Sequence, residues 1–246
     1  MAQAAVVKPL EGGARVAASL AVGLATFMNV LDTSIANVSI PAIAGDLGVS
    51  PNQGTWIITS FAVANAISVP LTGWLTERFG QVRLFLATTA LFVIASLLCG
   101  LAVSMPMLVF FRIVQGAVAG PMIPLSQTLL LSTYPREKAG IALATFSLTI
   151  LVAPVVGPVL GGWITDNFSW PWIFFINVPV GAVALVMTAS LYRGRETERV
   201  KKPIDVVGLA LLVLWVGALQ LMLDKGKDLD WFASPQIVAL AVAAAL

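Results

Sequence analysis

Two ionisable side chains lie where water is scarce. Asp32 falls about 16 residues into an apolar run over 16–40, and Arg112 about five residues into another over 107–131. A charge inside a hydrocarbon layer is costly, so each marks a functional site by default. An acid and a guanidinium together allow two readings. One is a structural ion pair. The other is a proton site, a carboxylate that keeps its proton when desolvated and releases it when the guanidinium approaches. Asn29, Asn37, Asn65 and Gln115 add neutral polar groups to the same region of the chain. Each can line a substrate cavity or simply join helix to helix. There is no histidine, and the one cysteine, Cys99, lies inside an apolar run. That excludes Ser–His nucleophiles, imidazole metal sites and a disulfide framework. No nucleophile–base pair and no GxxxxGKS-type phosphate loop is present. The expectation is therefore a protein that is not an enzyme, with no metal and no cofactor, driven by an ion gradient.

The elements that must position these residues follow from composition. Of 246 residues, 59% are hydrophobic and 11% charged, against about 25% charged in a soluble domain. The fold class expected is an all-α polytopic membrane protein. Seven runs can span: 16–40, 54–75, 84–103, 107–131, 139–164, 171–191 and 204–223. They are too long and continuous for barrel strands. Asp32 and Asn29 in the first run argue against a cleaved signal peptide. An eighth run starts near Gln236. Its 11 residues to Leu246 rise about 16 Å, short of a ~30 Å hydrocarbon core, so the chain reads as truncated inside a span.

Basic residues set the orientation. With the N-terminus inside, cytoplasmic segments hold Lys8, Arg15, Arg78, Arg83, Arg136, Lys138, Arg193, Arg195, Arg199, Lys201 and Lys202, eleven of 14. The outer loops hold Lys225 and Lys227. The bias is the positive-inside pattern. Asp32 and Arg112 then lie roughly 12 Å and 8 Å from the outer ends of their helices. Net charge is +2, which suggests no nucleic acid partner.

"GWLTERFG" at 73–80 recurs as "GWITDNFS" at 162–169. Three spans separate the copies, so they lie on opposite faces, as a 3+3 inverted repeat requires. In the first copy Gly73 and Gly80 permit close helix approach. Glu77 can take the N-terminus of the next helix or an arginine, and Arg78 and Arg83 can pair across the turn; alternatively these are positive-inside anchors. "APVVGPVLGG" at 153–162 carries Pro154, Gly157, Pro158, Gly161 and Gly162, a recipe for a bent helix with a close-packing face. The bend can control alternating access, or the small residues can serve packing alone. Trp56, Trp170, Trp172, Trp231, Tyr134 and Tyr192 at span ends read as interface anchors.

These segments resemble the major facilitator superfamily. "GWLTERFGQVR" is similar to its loop motif, with Glu77 for the usual Asp and Gln81 for a basic residue. "LVFFRIVQGAVAG" at 108–120 is similar to its fourth-helix motif, and "GPVLGG" at 157–162 to the antiporter signature, with Ala153 at one upstream Gly position. "LDTSIANVSIP" at 31–41, "WIFFINVP" at 172–179 and "LDKGKDLDWF" at 223–232 resemble the 14-helix drug:proton antiporter subfamily and its EmrB-type multidrug exporters. The resemblance implies a major facilitator fold and proton-driven export of hydrophobic drug-like molecules. It also implies a bacterial inner membrane and its lipid, an EmrA-type periplasmic adaptor and a TolC-like outer-membrane channel. It makes 1–191 an N-terminal six-helix half, 192–203 a cytoplasmic linker, and 204–246 an extra helix and the start of the next. Proton coupling falls to Asp32 and Arg112. A non-transporting scaffold or receptor built from a transporter half is the alternative, because one half by itself is expected to be inactive.

Overall fold

A computed structural model of the chain describes residues 9–200 and 203–245. Lys8, Lys201, Lys202 and Leu246, which entered the charge count and the truncation expectation, lie outside them. Among the described residues there is no strand. Helix α1 is Gly12–Asp46. After it come α2 (Pro51–Gly54), α3 (Trp56–Ser68), α4 (Thr72–Phe79), α5 (Gln81–Gly100), α6 (Met105–Ala119), α7 (Met122–Thr133) and α8 (Ala139–Asn167). The last four are α9 (Trp172–Phe175), α10 (Asn177–Leu191), α11 (Val206–Lys225) and α12 (Pro235–Ala245). Among the described residues six spans, with α6–α7 and α9–α10 each counted as one, are long and apolar enough to cross a membrane, and α2–α3 with α4 make a seventh. The expected continuous span over 54–75 is corrected in one respect: it turns by 61° between α3 and α4. Pro70 sits in the break. It lacks an N–H, and its ring excludes the carbonyl of Ala66.

Take the first six spans as two triplets. Helix α1 packs on α8 and α10, α6 packs on α3 and α5, and α5 meets α10. Exchanging the triplets maps this set onto itself, as a two-fold axis between them demands. The repeat also appears in its rings. Trp74 and Phe79 form a T-shaped pair with centroids 6.5 Å apart, and Trp163 and Phe168 form one at 5.4 Å.

Glycines set how closely the helices approach. At Gly116 on α6, a Cβ would run into the Phe61 carbonyl oxygen on α3. Backbone cannot give way there, so Gly116→Ala should force α3 and α6 apart and cost about 3 kcal/mol. A fall in thermal unfolding temperature in detergent checks this.

On α8, Gly157 and Gly161 face α1, where a Cβ at 157 would meet Ser34. Pro154 and Pro158 do not break the helix, which runs on to Asn167. Pro158 has no N–H to give to the Pro154 carbonyl. The Ser34 hydroxyl on α1 donates to that oxygen instead, at 3.3 Å. Gly162 has no neighbour for a Cβ and adds nothing to the interface.

The turn between α4 and α5 is built around Gly80, whose φ is +89°. Glu196 caps α5: its carboxylate accepts from Val82 N at 3.0 Å and Arg83 N at 2.9 Å. Gln81 N donates to the Thr197 hydroxyl at 3.0 Å, and Val200 N to the Glu77 carbonyl at 2.8 Å. Glu196 thus fills a helix-capping role at the start of α5. Arg83 approaches Glu196 at 3.9 Å, and Arg78 is exposed. A Cβ at position 80 would meet the Glu196 carboxyl carbon at 2.5 Å, whereas Gly73 faces open space rather than a close helix.

Two of the expected interface anchors are buried instead. Trp170 Nε1 donates to Asp46 at 2.7 Å, and the Tyr192 hydroxyl lies 2.6 Å from that of Thr133. Trp56, Trp172 and Trp231 are exposed.

Candidate functional site

Asp32 on α1 and Arg112 on α6 meet, with Arg112 Nη1 donating to Asp32 Oδ2 at 2.5 Å; the two side chains are 1% and 0% exposed. Such a pair is stabilised by whatever further hydrogen bonds its remaining lone pairs and protons make. Gln115, one turn along α6, donates Nε2 to Asp32 Oδ1 at 3.1 Å and accepts from Arg112 Nη1 at 2.8 Å. Arg112 Nε donates to the Ile57 carbonyl on α3 at 3.1 Å. The guanidinium stacks 4.2 Å from the Phe61 ring centroid and 5.6 Å from that of Phe174. Nη2 is buried with no hydrogen-bond partner.

Two residues to which the sequence assigned no role complete the network. Asn177, the first residue of α10, donates Nδ2 to Asp32 Oδ1 at 2.8 Å and to the Ser96 hydroxyl on α5 at 2.9 Å. Ser96 donates to the Phe174 carbonyl on α9 at 2.9 Å. Cys99 Sγ lies 3.5 Å from Gln115 Oε1. Elements of both triplets thus close on one carboxylate. The signal available in the sequence was an asparagine inside "WIFFINVP".

The four residues expected at a substrate cavity separate. Asn29 and Asn65 line a recess of about 290 Å³ with Thr33, Phe61 and Ile123. Asn29 also donates to the Ala119 carbonyl at 3.3 Å. Gln115 is fully buried in the ion-pair network, and Asn37 is exposed away from the recess. Among the described residues, Gly73, Arg78, Gly80, Arg83 and the small residues of α8 are not among the network's partners.

Comparison with known proteins follows the same line. The description of the Major Facilitator Superfamily matches residues 22–245. The chain is 62% identical to the multidrug export protein EmrB of Haemophilus influenzae, over 96% of this chain and 46% of that protein. It is 56% identical to the fatty acid resistance protein FarB of Neisseria gonorrhoeae, over the same shares. The chain spans about half the length of the curated relatives it matches. Among solved structures, a peptide transporter POT in complex with sulfate aligns with TM-score 0.69 at 14% identity, covering 97% of this chain and 52% of that one. The proton:xylose symporter XylE aligns with TM-score 0.64 at 15% identity, covering 87% and 54%. At those identities the likeness speaks for the fold alone. The sequence match covers nearly the whole chain and agrees with the symmetric helix packing: this protein belongs to the major facilitator superfamily.

Proposed function

We propose that this chain forms the N-terminal half of a proton-coupled multidrug antiporter that exports hydrophobic drug-like molecules across a bacterial inner membrane. In this reading the N-terminus is cytoplasmic, 1–191 is the six-helix half, 192–203 the linker, and 204–246 carries additional helices. The observation that carries it is the Asp32–Arg112 pair. A buried carboxylate held by one guanidinium and two amides can exchange its counter-charge for a proton when the helices part. Withdrawal of α6 removes the guanidinium that Asp32 faces. Asn29 and Asn65 give polar contacts in the recess beside the pair. The resemblance to EmrB-type exporters supports an EmrA-type adaptor and a TolC-like channel as partners, with the proton gradient as the only energy source. The test is drug-induced proton movement in proteoliposomes holding the full-length protein, followed with a pH-sensitive dye. Proton flux that scales with drug is expected. No flux on drug addition would overturn the reading and leave the scaffold alternative.

A further inference from the structure

Each neighbour of the Asp32 carboxylate is a hydrogen-bond donor, and what fixes each one differs. Arg112 has no acceptor atom at all. Gln115 turns its amide nitrogen to Asp32 because its oxygen accepts from Arg112 Nη1 at 2.8 Å. Gln115 is therefore locked chiefly by Arg112, since the only other donor to that oxygen is the weak Cys99 thiol at 3.5 Å. Asn177 is locked by something else. The Phe174 carbonyl can only accept, so the single hydroxyl hydrogen of Ser96 is committed to it, at 2.9 Å. Ser96 Oγ then presents only lone pairs to Asn177, 2.9 Å away. The Asn177 atom there must be the nitrogen. Its two hydrogens are both used, one on Ser96 and one on Asp32 Oδ1 at 2.8 Å.

We propose that Ser96 and Asn177 are positioning residues that keep a permanent donor on Asp32, so that the carboxylate can accept a proton only when Arg112 withdraws. A protonated acid needs an acceptor for its new O–H. Gln115 can supply one by turning its amide, but only after Arg112 releases its oxygen. Asn177 cannot turn while Ser96 holds it, whatever α6 does. Protonation is thereby tied to breakage of the ion pair, which is the condition for exchange without leak. The charged and titratable groups in the network are Arg112 on α6 and the Cys99 thiol on α5. The other elements bring neutral groups only: the Ile57 carbonyl from α3, the Phe174 carbonyl from α9 and the Asn177 amide from α10.

This inference rests on Asp32 being the proton site, and the experiment separates the two. Full-length wild type, Ser96→Ala, Asn177→Ala, the double variant and Asp32→Asn are reconstituted. The pH dependence of drug-driven proton movement is measured for each. Ser96→Ala frees the Asn177 amide to turn and accept from a protonated Asp32. Its profile should move to higher pH by about one unit, the tenfold that one buried hydrogen bond is worth. In the Asn177→Ala background the same change should add no shift, because Ser96 acts through Asn177. A Ser96→Ala profile that coincides with wild type overturns the inference. So does an equal shift in the Asn177→Ala background. If Asp32→Asn keeps the wild-type profile, the parent reading fails instead. Should Ser96→Ala not fold, Ser96→Cys, with a far weaker donor, takes its place and is read the same way.

Discussion

Asp32→Asn in the full-length protein should reduce uphill drug efflux to background. Asparagine fills the same space but cannot lose a proton, so the exchange step has no carrier. It also removes the counter-charge from an arginine that is 0% exposed. An unpaired buried charge is worth about 3–5 kcal/mol of destabilisation. Part of that loss is offset, because Arg112 keeps Gln115, the Ile57 carbonyl and the Phe61 ring. The variant should therefore still reach the membrane and bind drug. Asp32→Glu should retain partial coupling with an altered pH optimum. The measurement is drug accumulation against its gradient in energised vesicles. Accumulation by Asp32→Asn equal to wild type would make Asp32 structural and place the coupling carboxylate elsewhere in the protein.

Arg112→Lys should fail nearly as completely. The guanidinium places Nε on the Ile57 carbonyl and Nη1 on both Asp32 and Gln115. Those partners lie along a planar fork that an ammonium cannot copy. Lysine would hold Asp32 at best and give up the bonds to the Gln115 oxygen and the Ile57 carbonyl, which would keep only the weak Cys99 thiol and the donors of α3 itself; a lost hydrogen bond to a charged group is worth about 1.5–3 kcal/mol. Stacking between Phe61 and Phe174 would weaken as well. Efflux at matched expression should drop more than about tenfold, since 1.4 kcal/mol is already a factor of ten. Wild-type efflux by the lysine variant would refute a geometric role.

The helical fold was legible because apolar runs long enough to span a bilayer leave few alternatives. The break at Pro70 was not, since hydropathy passes smoothly over 54–75 while the proline acts on backbone alone. Asp32 and Arg112 stood out because charge in an apolar run is expensive. Asn177 and Ser96 did not, because neutral polar groups in such runs are common and cheap. Glu196 was missed for a different reason. It caps a helix that starts more than 100 residues earlier in the chain, and no local pattern records that. Trp170 and Tyr192 misled because an aromatic with a polar tip at a helix end looks the same whether the tip meets water or a neighbouring Asp46 or Thr133.

The Asp32–Arg112 pair is neutral as it stands, and this has an electrical consequence. Under the proposed exchange, adding a proton to Asp32 leaves the guanidinium uncompensated, so the loaded site carries one positive charge and the empty site none. The transmembrane voltage then acts on the loaded state alone. It can contribute at most about 2.3 kcal/mol per 100 mV for a charge crossing the whole field. Exchange of one proton for an uncharged drug would move net charge and run faster as the cell interior becomes more negative. Exchange for a monovalent cation would be electrically silent.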